Sequence, residues 1–429
     1  MLTVAYLANQ FPSDVEPYVV EEIQELRKRG IQVIAGTARS PDSARLESTE
    51  EEETTKVLAI QPIRLLVLLR ACWLVMRRWK RIADLLEPVL LRREEPANRR
   101  LRALLHTLLG AYYAVLLLDR RVDHIHVHHG YFGSWIAMVA ARLLGINFSL
   151  TLHGSDLLLH NAYVETKLAN CQFCVTISEY NRQYIREHFP VPGEKIVVAR
   201  LGVGVTEHQE PRRGKRDLRR AFSLVAVGRL HAVKDHAFLV RACARLRDHG
   251  VDFECAIAGE GPERAKLNRL IQVLQLSEYL TLLGRVEREN VDGLYRRADV
   301  VVLTSRSEGI PLVLMEAMGL GKIVLAPAIT GVPELIIHEK TGFLYRPGVL
   351  EDFVEKLLFL MKLMNADGRD ATNRLDWVRH AARAQVVHNF NRGNNLTYFG
   401  DRFLERIARA DPSVRDRSFP HEDPVLQQI

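Results

Sequence analysis

Apolar runs and polar breaks over the first forty residues fall in the order strand, loop, helix, strand: Thr3–Ala8, Asn9–Glu16, a helix ending at Gly30, then Gln32–Gly36. That β-loop-α-β order opens a parallel, doubly wound sheet. Gly30 stands where a helix C-terminus favours left-handed backbone. The rhythm returns with strands at His124–His128, Phe148–Leu152 and Phe173–Ile177, and helices over Ser134–Leu144 and near Ala162–Ala169. Val197–Val203 closes this half. A second series follows: Ser223–Val227, a helix to Gly250, Asp252–Ala258, Glu263–Leu274, Leu280–Gly284, Asn290–Arg297, Val300–Thr304, Leu312–Met318 and Ile323–Ala326. The pattern predicts an α/β chain of two doubly wound domains, 1–209 and 221–382, facing a central cleft. Ligands are then expected at the carboxyl ends of both sheets. A charged linker (210–220), a helical segment (383–410) and a polar tail (411–429), expected to be disordered, complete the chain.

One stretch breaks the rhythm. After an acidic, polar loop at Ser40–Thr55, Ile63–Met76 and Ala103–Leu118 are very apolar and are separated by basic, Pro-containing sequence. The second run has 16 residues and is interrupted by His106, whereas a spanning helix needs about 20. Helices that are buried, or that lie on a membrane surface, are the expectation. Charge sharpens this. The net charge is +7, but Val57–Arg121 alone holds thirteen Arg/Lys against five Asp/Glu, so the excess is local. A local excess favours an anionic surface facing the segment 57–121. Its few aromatics are too sparse for a base-stacking platform, so nucleic acid is not an expected partner.

Hydrophobic content of 47% and charged content of 26% suit a soluble globular protein. The start shows no secretory signal, and five cysteines form an odd, sparse set that suits a reducing compartment. A cytoplasmic protein, peripheral on the cytoplasmic face of the inner membrane, is the expectation. Cys171 and Cys174 form a lone CxxC, which reads as two thiols beside a strand rather than a zinc site.

Candidate chemistry concentrates in the second half. No GxGxxG follows an early strand, and Gly319-Leu-Gly321-Lys322 lacks P-loop spacing, which disfavours a dinucleotide dehydrogenase or an NTPase. Gly228-Arg229 ends a strand, with Lys234 shortly after. Two long cations at the mouth of a sheet can hold a diphosphate, although either could be a solvated surface charge. The strand VVVLT leads through SRSEGIP into a helix near Leu312, whose N-terminal N–H groups suit phosphate. Gly309 permits close backbone approach. Glu316, one turn into that helix, can accept from ribose hydroxyls, and Glu308 from hydroxyls of a sugar. His126 and His128 alternate on a strand and share one face, which admits metal ligation or packing.

The ordered segments GRLHAVKDH, AGEGPE, LLGRV, ADVVVLTSRSEGIPLVLMEAMGLGKIVLA and GVPELI give the chain a resemblance to the GT-B glycosyltransferases of family 4, the large retaining group. FPSDVEPYVVEEIQELRKRGIQV, DHIHVHHG and TLHGSDL are similar to its colanic-acid-like exopolysaccharide branch. The resemblance implies two Rossmann-like domains and a retaining transfer of a hexose from a nucleotide-diphosphate sugar. UDP is the favoured base, with GDP-mannose next. It implies that Arg229 and Lys234 hold the diphosphate, with Gly309, Ile310, Pro311 and Leu312 helping. Glu316 takes the ribose, Glu308 the transferred sugar, Arg285 lies near the base, and His153 lies by the anomeric centre. Glu16, Tyr18, His126 and His128 are acceptor-side candidates. No cofactor and no metal are expected, since cations and a helix end take the metal's place. The acceptor is expected to be a glycan, lipid-linked where 57–121 rests on anionic membrane. Two departures stand out: Pro12–Glu16 replaces the family's Gly-Gly loop, and Thr330 stands where glycine is common. A sugar-nucleotide epimerase of the same architecture and a non-catalytic nucleotide-sugar-binding protein are the competing classes.

Overall fold

The computed structural model describes residues 1–13, 16–39, 57–91, 95–159, 162–205, 220–366 and 369–410. Most of the linker 210–220, the tail 411–429 and the loop Ser40–Thr55 lie outside the described residues. The chain divides into two units, Met1–Ala199 with Leu396–Ile429, and Arg200–Asn395.

The first unit is built on a parallel sheet of β1 (Thr3–Ala8), β2 (Gln32–Thr37), β3 (Leu58–Ala59), β4 (His124–His128), β5 (Asn147–Leu152), β6 (Phe173–Thr176) and β7 (Ile196–Val198). The spatial order is β3-β2-β1-β4-β5-β6-β7. Buried on both faces, β1 reads as an unbroken apolar run, as a strand covered by helices must. The order reverses between β1 and β4, which opens a crevice at their carboxyl ends. The C-terminal helix Arg392–Ala410 begins in the second unit and runs into the first, where Phe399, Phe403, Leu404 and Ile407 pack with Val4, Tyr6, Val19 and Ile23.

The basic apolar segment forms helices Leu65–Arg78, Ala83–Leu90 and Ala97–Leu117. By length and composition, Ala97–Arg120 could cross a bilayer. However, Ala103, Thr107, Gly110, Ala111, Tyr112, Tyr113, Ala114 and Leu117 are buried. A Cβ on Gly110 would lie 2.9 Å from Ile136 O, so this helix sits directly against Phe132–Leu144. Thr107 Oγ1 also accepts from Trp135 Nε1 at 2.9 Å. It is a core helix. The helix Leu65–Arg78 differs. Ala71 and Leu74 face the core, while Leu65, Leu66, Leu69, Trp73 and Met76 are 55–76% exposed, beside exposed Arg70 and Arg77.

The second unit repeats the plan with β8 (Phe222–Val227), β9 (Phe253–Ala258), β10 (Leu280–Gly284), β11 (Val300–Val302), β12 (Ile323–Pro327) and β13 (Phe343–Tyr345), in spatial order β10-β9-β8-β11-β12-β13. All paired strands are parallel. Here the reversal falls between β8 and β11. The expected strand Val197–Val203 is shorter, ending at Val198, and Val203 instead bridges to Asn391.

Candidate functional site

In the second unit, the reversal of strand order brings together the two stretches that sequence separates by seventy residues. The chain leaving β8 runs through Gly228, Arg229 and Leu230 into a turn at Ala232–Lys234, then into the helix His236–Asp248. The chain leaving β11 runs through Glu308–Pro311 into the helix Leu312–Gly319. Four bonds tie them. Arg306 N donates to Val233 O at 2.8 Å, Thr304 Oγ1 to Lys234 O at 3.1 Å, and Arg306 Nε to Asp235 Oδ2 at 2.7 Å. The fourth joins two predicted residues: Lys234 Nζ lies 2.6 Å from Glu308 Oε1, with both side chains largely covered.

Close backbone approach fixes both loops. A Cβ on Gly259 would meet Gly228 O at 1.9 Å, and one on Gly331 would meet Gly309 O at 2.1 Å, so only glycine fits at either position. Thr330, the departure from glycine, holds φ of 41° and donates from Oγ1 to Glu308 O at 2.5 Å. Its hydroxyl thus ties down the loop that carries Glu308. Ile310 is buried, and Pro311 caps the helix, leaving the N–H groups of Leu312 and Val313 without intrahelical acceptors. Glu316 accepts from Tyr295 Oη at 3.1 Å, and burial raises its carboxyl above the ordinary range. Tyr295 escaped the sequence reading because an aromatic 21 positions away carries no local signal. Arg229 is exposed at the reversal point. Arg285 is not gathered with these residues: it follows the edge strand β10, two strands from β8, and faces Glu287.

In the first unit the corresponding crevice is filled by a buried polar network. His128, at the end of β4, meets Glu22 Oε2 at 2.9 Å and Tyr6 Oη at 2.8 Å through Nε2, and His153 Nε2 at 2.9 Å through Nδ1. Tyr6 Oη also donates to Glu22 Oε2. Strand register sets His126 opposite Ser149, whose Oγ lies 2.7 Å from His126 Nδ1 and 2.7 Å from His124 Nε2. His126 Nε2 meets Thr151 Oγ1 at 3.0 Å. His126 and His128 are wholly buried, which corrects their expected place as acceptor contacts: neither offers a surface to a ligand. Glu22, His126 and His128 do place one donor atom each within 4.8 Å of one another, but every one of those atoms already has a protein partner. The ring of Tyr18 lies 4.8 Å from that of His153.

Asp156 organises the turn around His153. Its carboxylate accepts from the N–H groups of Gly130 at 2.8 Å, Gly154 at 2.8 Å and His153 at 3.0 Å. Burial opposes ionisation there, yet His129 and these N–H groups hold the carboxyl well below its usual range. Burial likewise opposes charge on His129, whose Nε2 is 2.8 Å from Glu16 Oε1 and whose Nδ1 is 3.5 Å from Asp156 Oδ2. The two carboxylates win and raise it to about 10. Burial, then the charge of His129, pushes His153 well below 6.5. Burial alone takes His124 to about 3. Beneath the turn, wholly buried Lys167 donates to Gly130 O, Tyr131 O and Ala162 O, and burial lowers it to about 7. Sequence reading grouped His129 with His126 and His128 but missed Tyr6, Glu22 and Asp156 as members of this network. Of these three, the Asp of the TLHGSDL segment carried a signal, since a carboxylate two residues past a glycine suits a turn. Cys171 and Cys174 are fully buried, with thiols raised by burial.

Two family models match the chain in tandem: Glycosyltransferase Family 4 over residues 15–207, and Glycosyl transferases group 1 over residues 210–373. The chain is 32% identical over 206 residues to the putative colanic acid biosynthesis glycosyltransferase WcaL of Escherichia coli, covering 47% of this chain and 48% of that one. It is 32% identical over 227 residues to the amylovoran biosynthesis glycosyltransferase AmsK of Erwinia amylovora, covering 51% and 52%. The matched region thus spans about half the length of these curated relatives. Among solved structures, sucrose-phosphate synthase from Thermosynechococcus elongatus aligns with a TM-score of 0.73 at 17% identity, over 95% of this chain and 100% of that one. Anabaena HepE in complex with UDP and glucose aligns at 0.68 and 16% identity, over 94% and 100%. At such identity the likeness is one of fold. With one model on each sheet-bearing half and both sheets wound in parallel, the chain belongs to the family 4 glycosyltransferases of GT-B fold.

Proposed function

We propose that the chain is a retaining hexosyltransferase that moves a sugar from a nucleotide-diphosphate donor to a hydroxyl of a glycan acceptor in cell-surface polysaccharide synthesis. The observation that carries this reading is the Lys234–Glu308 pair at the β8/β11 reversal, beside Arg229 and at the head of the helix that bears Glu316. Arg229, Lys234 and the free N–H groups of Leu312 and Val313 offset the charge that develops on the departing diphosphate. Glu316, partly buried and oriented by Tyr295, accepts from ribose hydroxyls. Glu308 is held by Lys234 until a sugar hydroxyl competes for it. The acceptor hydroxyl attacks the face the diphosphate leaves, and the leaving phosphate takes its proton. No metal is needed in this scheme, because fixed cations do its electrostatic work. UDP is the preferred base and GDP the next. Colanic-acid and amylovoran relatives support an exopolysaccharide role.

The acceptor is proposed to be lipid-linked. The exposed stripe Leu65, Leu66, Leu69, Trp73 and Met76, flanked by Arg70 and Arg77, has the apolar-plus-cationic make-up that binds an anionic bilayer surface. Flotation with anionic liposomes tests this arm: the wild type should float, and Leu69→Glu with Trp73→Glu should not. Recovery of the wild type in the unbound fraction would remove it.

Glu308→Gln and Arg229→Ala, each assayed separately for transfer and for donor binding, test the site. Both should lose most turnover. Near-normal turnover in both would mean that the site lies elsewhere, and product formed without any acceptor would favour an epimerase.

A further inference from the structure

The buried chain from Glu22 to His153 has a direction. Its links are Glu22 Oε2 to His128 Nε2 at 2.9 Å, and His128 Nδ1 to His153 Nε2 at 2.9 Å. A carboxylate offers only acceptors, so the ring nitrogen it meets carries the proton. Tyr6 Oη, within reach of both Glu22 and His128, already donates to the carboxylate and leaves Nε2–H of His128 in place. His129 is the cation of the cluster, its ring 4.5 Å from that of His153, and its like charge disfavours imidazolium at His153. With a single ring proton, placed on Nε2 toward Glu22, His128 presents a lone pair at Nδ1. His153 must answer it with Nε2–H. The remaining nitrogen, His153 Nδ1, has no partner among the described residues, and His153 is the half-buried end of the chain.

We propose that Glu22 is a positioning residue that acts through His128 to fix the tautomer of His153, keeping His153 Nδ1 as a hydrogen-bond acceptor for a hydroxyl of the bound sugar. Glu22 touches no ligand. It sits on the helix Pro17–Lys28, is 4% exposed, and works at two removes. The use of the acceptor rests on the transferase reading, but the tautomer does not. The groups around the relay are Tyr6, Tyr18, His126, His129 and Asp156. His126 has both nitrogens bonded to hydroxyls, so it cannot replace Glu22 as the anchor.

Long-range nitrogen–proton NMR on the full chain labelled with ¹⁵N-histidine reads the tautomer directly, with His153 assigned from a His153→Asn sample. The wild type should carry the His153 proton on Nε2. In Glu22→Met, Tyr6 Oη loses its carboxylate and donates to His128 Nε2. His128 must then be protonated on Nδ1, and His153 should switch its proton to Nδ1. Tyr6→Phe should keep the wild-type tautomer. A wild-type His153 protonated on Nδ1, an unchanged tautomer in Glu22→Met, or a switch in Tyr6→Phe overturns the inference. If Glu22→Met does not fold, the wild type and Tyr6→Phe still decide it. In a transfer assay Glu22→Met should lower kcat about tenfold, with donor KM little changed. The predicted tautomer in a chain that transfers no sugar would sink the transferase reading and leave this inference standing. The opposite tautomer in an active enzyme would do the reverse.

Discussion

The two units share one plan, a parallel sheet whose strand order reverses near its middle, yet they use the crevice at that reversal differently. At β1/β4 the polar side chains are buried and bonded to one another: Tyr6, Glu22, His128, His153, and Asp156 with His129. At β8/β11 they lie nearer the surface, with Arg229 exposed and Lys234 paired with Glu308. A network closed on itself sets geometry. Cations near the surface suit the proposed anionic ligand. The same topology therefore carries a closed polar network in one half and an exposed cation in the other.

The difference can be broken from either side. The largest effect should come from Arg229→Ala, which removes the proposed diphosphate contact while touching no core. Transfer should fall about 10²- to 10³-fold with the melting temperature unchanged, as read by product release and a thermal melt. Asp156→Ala should do the opposite. It takes one of two carboxylates from the His129 cation and strands three N–H groups in the interior, and urea unfolding should show a loss of about 3–5 kcal/mol. Lys234→Met sharpens the contrast, since it leaves the largely covered Glu308 carboxylate without its cation. Stability should fall by about 1–3 kcal/mol, while donor affinity drops in calorimetry. The smallest change is expected from Tyr295→Phe, whose lost hydrogen bond to Glu316 should weaken donor binding by about 1 kcal/mol, close to fivefold.

pH separates the halves too. His129 is raised above its unfolded value, so its contribution to stability is full below about 6.5 and is lost as pH rises through about 10. Asp156 is depressed, so its share is present above the ordinary carboxylate range and fades as the solution becomes strongly acidic. Thermal melts across alkaline pH should show a decline for the wild type that His129→Asn flattens.

The fold was legible because most of its strands are buried on both faces and read as short apolar runs bounded by turns. Thr3–Ala8, His124–His128 and Leu280–Gly284 fall where the pattern puts them. Leu58–Ala59 and Phe343–Tyr345 are too short to leave a period. The exposed half of the chemistry was legible as well, since cations and acids flanking a strand end are visible in the sequence. The buried half was not. Glu22 looks like any acid on an amphipathic helix. Only the register of β1 against β4, with Tyr6 opposite His126, brings it to the histidines. His126 and His128 stood as acceptor-side candidates on the resemblance, and their alternation on a strand says which face they take, not whether that face is covered.

The central claim is that the β8/β11 reversal binds a nucleoside diphosphate through Arg229 and Lys234. Isothermal titration of the full chain with UDP, and with GDP in parallel, tests it most directly. The wild type should bind one of them at a single site, and Arg229→Ala should lose at least about tenfold in affinity, the worth of one charge-assisted contact. Absence of binding to both nucleotides, or equal affinity in Arg229→Ala, would contradict it.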